Sequence, residues 1–301
     1  MTPRVKVQID AAKSVEHAGP SEDIEFPEID IIVVDSVTSL IRLLDNFISL
    51  PVNPPSLYFD LEGIRLGRQG SISIISLYIA PMKKVYLIDI HRLGNTAFST
   101  TNRSATSLKT VLESPTIPKV IFDIRSDSDA LFSHFQISVN GIQDLQLMEL
   151  ATRRDVKDVV AGLAKCIEND GPISAAAKEE WQRTKEAAVQ LFEPRKGGRY
   201  EIFNDRPIKP EIIEYCARDV ALLPGLYNVY NAKLHLPGEA HWQTRVRKAT
   251  KDRIKLSQSP SYDKQTTWQK IRSPWYWNKG VIGERDKSNK RKNTSSGSNL
   301  G

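Results

Sequence analysis

Cysteine is scarce in this chain, with two residues among 301, Cys166 and Cys216. Both stand inside helical patterns, which excludes a disulfide ladder and a Cys-x-x-Cys metal site and fits a reducing compartment. Long apolar runs are missing as well. The opening MTPRVKVQID has no apolar h-region, and the longest apolar-rich stretch, Ser71 to Ala80, is far too short to span a bilayer. The expectation is a soluble intracellular protein of the nucleus or cytoplasm, with neither signal peptide nor transmembrane helix and no membrane partner. Protein partners are not legible from the sequence.

Charge is abundant and unevenly placed. Residues 241–301 hold 15 Lys/Arg against 4 Asp/Glu, a net of +11, while the preceding 240 residues hold 27 against 32, a net of −5. An acidic body therefore carries a basic tail. Such a tail supplies the attraction to a polyanion that the body lacks, or serves only as a solvated, solubilising segment. Three hundred residues can bury a substantial core as one large domain with appendages.

The densest chemistry lies in residues 56–79, SLYFDLEGIRLGRQGSISIISLYI. Leu57, Tyr58 and Phe59 read as a strand running into Asp60-Leu61-Glu62. Strand period places Asp60 and Glu62 on one face and turns Leu61 to the other. The polar turn from Gly63 to Gly70 and the alternating run after Ser71 complete a hairpin. A solvated surface pair is the alternative reading; the apolar setting favours a ligand pair.

Further along, Lys119 to Phe122 is a core strand that runs into three aspartates, Asp123, Asp127 and Asp129, and then a helix. Strand-to-helix junctions of α/β proteins gather ligand groups, and the first helical turn favours a carboxylate at Asp127. On a late helix opened by Pro210, Tyr215 and Asp219 stand four apart, one turn from each other. Four carboxylates meeting at one sheet edge repel one another unless cations intervene, and an all-oxygen set selects Mg²⁺ or Mn²⁺. Two such ions, about 4 Å apart, suit phosphodiester hydrolysis.

These residues resemble the motifs of the DnaQ-like 3'-5' exonucleases, the group named for four acids, in its tyrosine subclass. The likeness is strongest to ribonuclease D and Werner-type exonuclease domains and covers roughly residues 30–236. It rests on Phe59-Asp60-Leu61-Glu62-Gly63, on KVIFDIRSDSDAL with the acid at Asp127, and on Tyr215 and Asp219 in YCARDV. The resemblance implies an α/β fold of the ribonuclease-H-like kind, a mixed five-stranded sheet flanked by helices. It also implies a two-metal 3'-5' exonuclease acting on single-stranded RNA or DNA and releasing nucleoside 5'-monophosphates. Asp60, Glu62, Asp127 and Asp219 would hold two Mg²⁺ or Mn²⁺ ions, and Tyr215 would orient the attacking water. The alternative is an inert RNA-binding or scaffold protein of the same fold, since the family includes members that lost acids.

Around this domain the expectation is an N-terminal arm over 1–29, a basic aromatic extension over 237–279 and a disordered basic tail over 280–301. The loop EPRKGGRY is either a plain connection or an anion-contacting arm. The SPWYWNKG cluster either docks on the domain or stacks on bases. Candidate substrate contacts are Leu61, Arg195, Lys196, Arg199, Trp268, Trp275 and Trp277. Unlike some relatives, the chain shows no recognisable helicase or helical nucleic-acid-binding domain after the exonuclease region.

Overall fold

The computed structural model describes residues 25–263 and 272–275. Strand β1 (Asp30–Val34) leads into helix α1 (Val37–Asp45), followed by the meander β2 (Leu57–Glu62), β3 (Ile74–Ile79) and β4 (Lys84–Asp89). Three short helices come next, α2 (Ile90–Leu93), α3 (Thr96–Ser99) and α4 (Leu108–Glu113). Two strand–helix units follow: β5 (Lys119–Ile121) with α5 (Arg125–Phe135), and β6 (Ile142–Asp144) with α6 (Leu145–Thr152). The described chain then becomes mainly helical, through α7 (Leu163–Asp170), α8 (Ala175–Phe192), α9 (Pro210–Leu234) and α10 (Ala240–Ser257).

The six strands form one sheet in the order β1-β4-β3-β2-β5-β6. Pairing is antiparallel between β2, β3 and β4 and parallel at β1–β4, β2–β5 and β5–β6. This is the expected mixed sheet flanked by helices, with one strand more than the five anticipated. The addition is β6, three residues long.

Strand alternation divides the core. Tyr58, Ile74, Tyr78, Val85 and Leu87 pack in one cluster with the buried side of α9. Leu57, Phe59, Leu61, Ile75, Leu77 and Ile79 pack in the other, with α1, α4 and α5. Asp60 and Glu62 share the parity of Tyr58, so they face α9 and its tyrosine.

Local chemistry explains the helix starts. Ser36 and Ser107 form capping boxes for α1 and α4, and Asp144 caps α6 by accepting from the Gln146 amide at 3.1 Å. Pro210 opens α9, as its fixed φ favours. Pro224 lies inside α9, which runs through it over its 25 residues. Packing against β2, β3, β4, α6 and α8 outweighs the single backbone bond that proline removes.

The last described elements are tied down. Helix α10 packs on α5, α6 and β6, burying Val246, Ala249, Thr250, Arg253 and Ser257. Arg68 then clasps the turn beyond it, donating to the carbonyls of Ser257 (2.7 Å) and Ser259 (2.9 Å). The Ser273 amide bonds the Asp158 carbonyl at 2.9 Å, and Trp275 meets Trp242 edge-on, ring centres 4.9 Å apart. Among the described residues, no helix is long and apolar enough to cross a membrane. The tail over 280–301 lies outside the described residues.

Candidate functional site

Three elements bring the acids together. Strand β2 offers Asp60 and Glu62 from one face, and Gly63 follows at once because a Cβ there would run into the Ser71 carbonyl of the returning strand. Helix α9, laid across that face, presents Tyr215 and Asp219, 8 % and 3 % exposed. From the far end of β5, the first turn of α5 supplies Asp127, buried, with its Oδ1 lacking any hydrogen-bond partner.

The electrostatics show how these groups feel one another. Burial pushes the Asp60 carboxyl up to about 7, Asp219 adds to the rise, and the Lys185 ammonium opposes it. Glu62 is raised well above the carboxylate range by burial and then by Asp60 and Asp219; a hydrogen bond donated by the Tyr215 hydroxyl and the charge of Lys185 offset part of this. Asp127 is likewise raised by burial and then by Asp60. Burial, with Glu62 and Asp219, pushes the Tyr215 phenol well above its ordinary value, so it keeps its proton and acts as a donor.

Of the three aspartates near α5, only Asp127 joins this centre. Asp123, in a left-handed backbone conformation (φ 63°), gives its carboxylate to Arg125 at 2.6 and 2.5 Å. Burial raises Asp123, but Arg125 and Arg253 outweigh it and hold the group below the usual carboxylate range. Asp129 receives the Arg68 backbone amide at 2.9 Å and its Nε at 2.7 Å.

Asp219 is occupied on both oxygens. The Lys185 ammonium donates to Oδ2 at 2.6 Å and the Trp181 indole N–H to Oδ1 at 2.9 Å. Both donors come from α8, whose C-terminal Phe192 packs its ring 5.4 Å from that of Tyr215. The Lys185 nitrogen lies 5.0 Å from the Trp181 ring and 5.1 Å from the Tyr215 ring, framed by aromatics. Sequence reasoning missed Lys185. The available signal was its place four residues after Trp181, on the same helical face.

The donor types suit a hard divalent cation. Among the described residues, no three His, Cys, Asp or Glu side chains are grouped so as to hold a metal ion. Asp219, one of the four acids expected to hold two ions, has both oxygens engaged by α8.

The 3'-5' exonuclease family model matches residues 34–234, two-thirds of the chain, from the end of β1 to the last residue of α9. The chain belongs to the 3'-5' exonuclease family. Sequence relatives include the piRNA biogenesis protein EXD1 of Bombyx mori, 23 % identical over 180 residues, covering 58 % of this chain and 50 % of that protein. The Mus musculus protein of the same name is 28 % identical over 167 residues, 54 % of this chain and 26 % of the other. The chain thus spans half or less of the length of these relatives. Among solved structures, Trypanosoma brucei RNase D is similar with a TM-score of 0.65 and 19 % identity, over 84 % of this chain and 81 % of that one. Brucella melitensis NrnC with bound Mg²⁺ has a TM-score of 0.51 and 16 % identity, over 79 % and 98 %. At these identities the likeness is one of fold.

The other candidate residues of this exonuclease-family chain are more scattered. Leu61, 2 % exposed, lies in the core cluster behind the acids. Arg195 and Lys196 are exposed on the turn that follows α8, while Arg199 pairs with Asp205 at 2.5 Å. Trp275 is half-buried against Trp242; Trp268 and Trp277 fall outside the described residues.

Proposed function

We propose that this chain is a single-stranded RNA-binding protein on an exonuclease fold, whose acid centre is held by its own lysine and indole rather than by divalent metal. The observation that carries this reading is the double engagement of Asp219 by Lys185 and Trp181. In keeping with it, no three His, Cys, Asp or Glu side chains among the described residues are grouped as a metal site. The exposed Arg195 and Lys196, just beyond the Phe192 that packs on Tyr215, offer cations for a phosphate backbone beside the centre. RNA is favoured as the nucleic acid because the sequence relatives are named for piRNA biogenesis, and Trypanosoma brucei RNase D, similar in fold, was solved in complex with RNA U12.

A second reading is a metal-dependent 3'-5' exonuclease of single-stranded RNA or DNA. It is favoured by the partnerless Oδ1 of Asp127 and by the upward shift of Asp60, Glu62 and Asp127. One ammonium does not neutralise four carboxylates.

Binding of a 5'-labelled 12-nucleotide RNA, measured by fluorescence anisotropy in chelator and again in Mg²⁺ or Mn²⁺, separates the readings. The expected result is binding in chelator that Mg²⁺ or Mn²⁺ does not strengthen, because the phosphate contacts come from side-chain cations, with the oligonucleotide intact on a denaturing gel. Metal-dependent shortening from the 3' end would establish the exonuclease instead. No binding in any buffer would refute the RNA-binding role.

A further inference from the structure

Lys185 belongs to none of the acid motifs, and its surroundings are specific. Helix α8 carries it opposite the last of the four acids, and Trp181, one turn earlier on α8, carries the second donor. The two donors divide Asp219 between them. The indole of Trp181, 3 % exposed, is locked in the core and fixes Oδ1. The lysine side chain is 22 % exposed and has a flexible four-carbon stem, so it alone has a path away from the carboxylate. Oδ2 is thus the oxygen of Asp219 whose partner can be exchanged.

The charge of Lys185 also reaches past Asp219. It bears on Asp60 and Glu62, opposing the upward push of burial on both. Its charge is therefore felt by three carboxylates, and it touches one of them, Asp219. A divalent ion held by Asp219 would meet this ammonium at the Oδ2 it occupies, and a positive charge so close to such an ion repels it strongly in a buried setting.

We propose that Lys185 is an internal counter-ion that competes with divalent metal for the acid centre, so that the Lys185–Asp219 pair and metal binding exclude each other. This rests on the reading that the centre is metal-free while α8 is engaged. It makes Lys185 a specificity-determining residue, since a long monovalent cation at this one position turns an all-oxygen donor set away from the hard divalent ions it otherwise suits. Trp181 is a positioning residue that keeps Asp219 aimed at β2 whichever cation is present. A merely structural Lys185, tying α8 to α9, predicts something different: its removal would weaken the fold and leave metal affinity where it was.

The test uses the full chain as wild type, Lys185→Met and Lys185→Arg, with Lys185→Gln in reserve should the methionine variant fold poorly. Mn²⁺ binding is read from the electron paramagnetic resonance signal of the free ion and by calorimetry. The melting temperature with and without Mn²⁺ gives a separate readout. Lys185→Met is expected to bind Mn²⁺ at least about tenfold more tightly than wild type, by removal of a buried like charge, and to gain thermal stability on adding the ion. Lys185→Arg, which keeps the charge, is expected to behave as wild type. Equal Mn²⁺ affinity in wild type and Lys185→Met overturns the competition. If that shared affinity is tight, the metal-free reading falls with it. If neither protein binds Mn²⁺ while both bind RNA in chelator, the competition alone is refuted and the RNA-binding reading stands.

Discussion

Arg253→Ala is expected to lower the stability of the folded chain by about 3 kcal/mol, the lower end of what breaking a buried ion pair costs. The guanidinium sits on the inner side of α10, 6 % exposed. It donates to Asp144 Oδ2 at 2.7 Å and to the Gln146 side chain at 2.8 Å, and lies 3.5 Å from Asp123. Asp144 is fully buried and would keep only backbone donors, the amides of Asp123, Ile124 and Gln146 at 3.1–3.4 Å. Those three bonds are the reason for choosing the low end of the range. Against a total stability of about 5–15 kcal/mol for an ordinary domain, the loss is a large fraction. Urea unfolding monitored by circular dichroism measures it directly. Arg247→Ala, an exposed arginine of the same helix, is the control, expected within about 0.5 kcal/mol of wild type. A loss below about 1 kcal/mol for Arg253→Ala would mean that the buried network is not what fixes α10.

That network shows why a basic tail was readable and its docking was not. The buried positions of α10 recur at helical spacing, 246, 249, 250, 253 and 257, but they are Val, Ala, Thr, Arg and Ser. Only the first two are apolar, so no hydrophobic stripe stands out and the net charge dominates the reading. The inward arginine makes sense only beside Asp123 and Asp144, more than a hundred residues away and brought there by β5 and β6. Other features are local and were legible. The parity of Asp60 and Glu62, the one-turn spacing of Tyr215 and Asp219, and the place of Asp127 in the first turn of a helix each follow from the period of one element. Lys185 belongs with Arg253. Its importance comes from the crossing of α8 over α9, and within its own amphipathic, Lys/Glu-rich helix it looks like any solvated lysine. Sequence thus reveals acids that one strand or helix aims together, and conceals cations delivered to them from another element.

In chelator, stability is expected to fall by about 2–4 kcal/mol as the pH rises from 4 to 7, the reverse of common acid denaturation. An aspartate in the unfolded chain titrates near 3.8, whereas Asp60 in the fold holds its proton up to about 7 because it is buried and faces Asp219. Between those values the folded state carries more protons than the unfolded one. Folding then takes up protons, and stability drops as pH rises through the window. Below about 4 both states are protonated and the difference disappears; above about 7 the penalty is complete. A displacement of that size corresponds to about 4 kcal/mol for a lone group, and the coupling of Asp60 with Glu62, Asp127 and Asp219 makes the effect a property of the set. Asp123 works in the opposite sense, since its arginine partners depress it, but its window lies below the ordinary aspartate value and leaves the 4–7 limb undisturbed. Lys119 acts on the other side. Burial lowers its ammonium from 10.5 to about 7, so the unfolded chain binds the extra proton between these values and stability recovers as pH rises beyond 7. The carbonyls of Val111 and Ser114, accepting from Lys119 Nζ at 2.8 and 2.7 Å, stabilise its charged form and make that recovery the smaller limb. The stability profile should therefore have its minimum near neutrality. Urea midpoints taken in half-unit steps from pH 4 to 10 trace it, and Asp60→Asn should flatten the acidic limb while leaving the alkaline one. Midpoints that stay level or climb between pH 5 and 7 in wild type would show that the four carboxylates are not confined together as the fold places them.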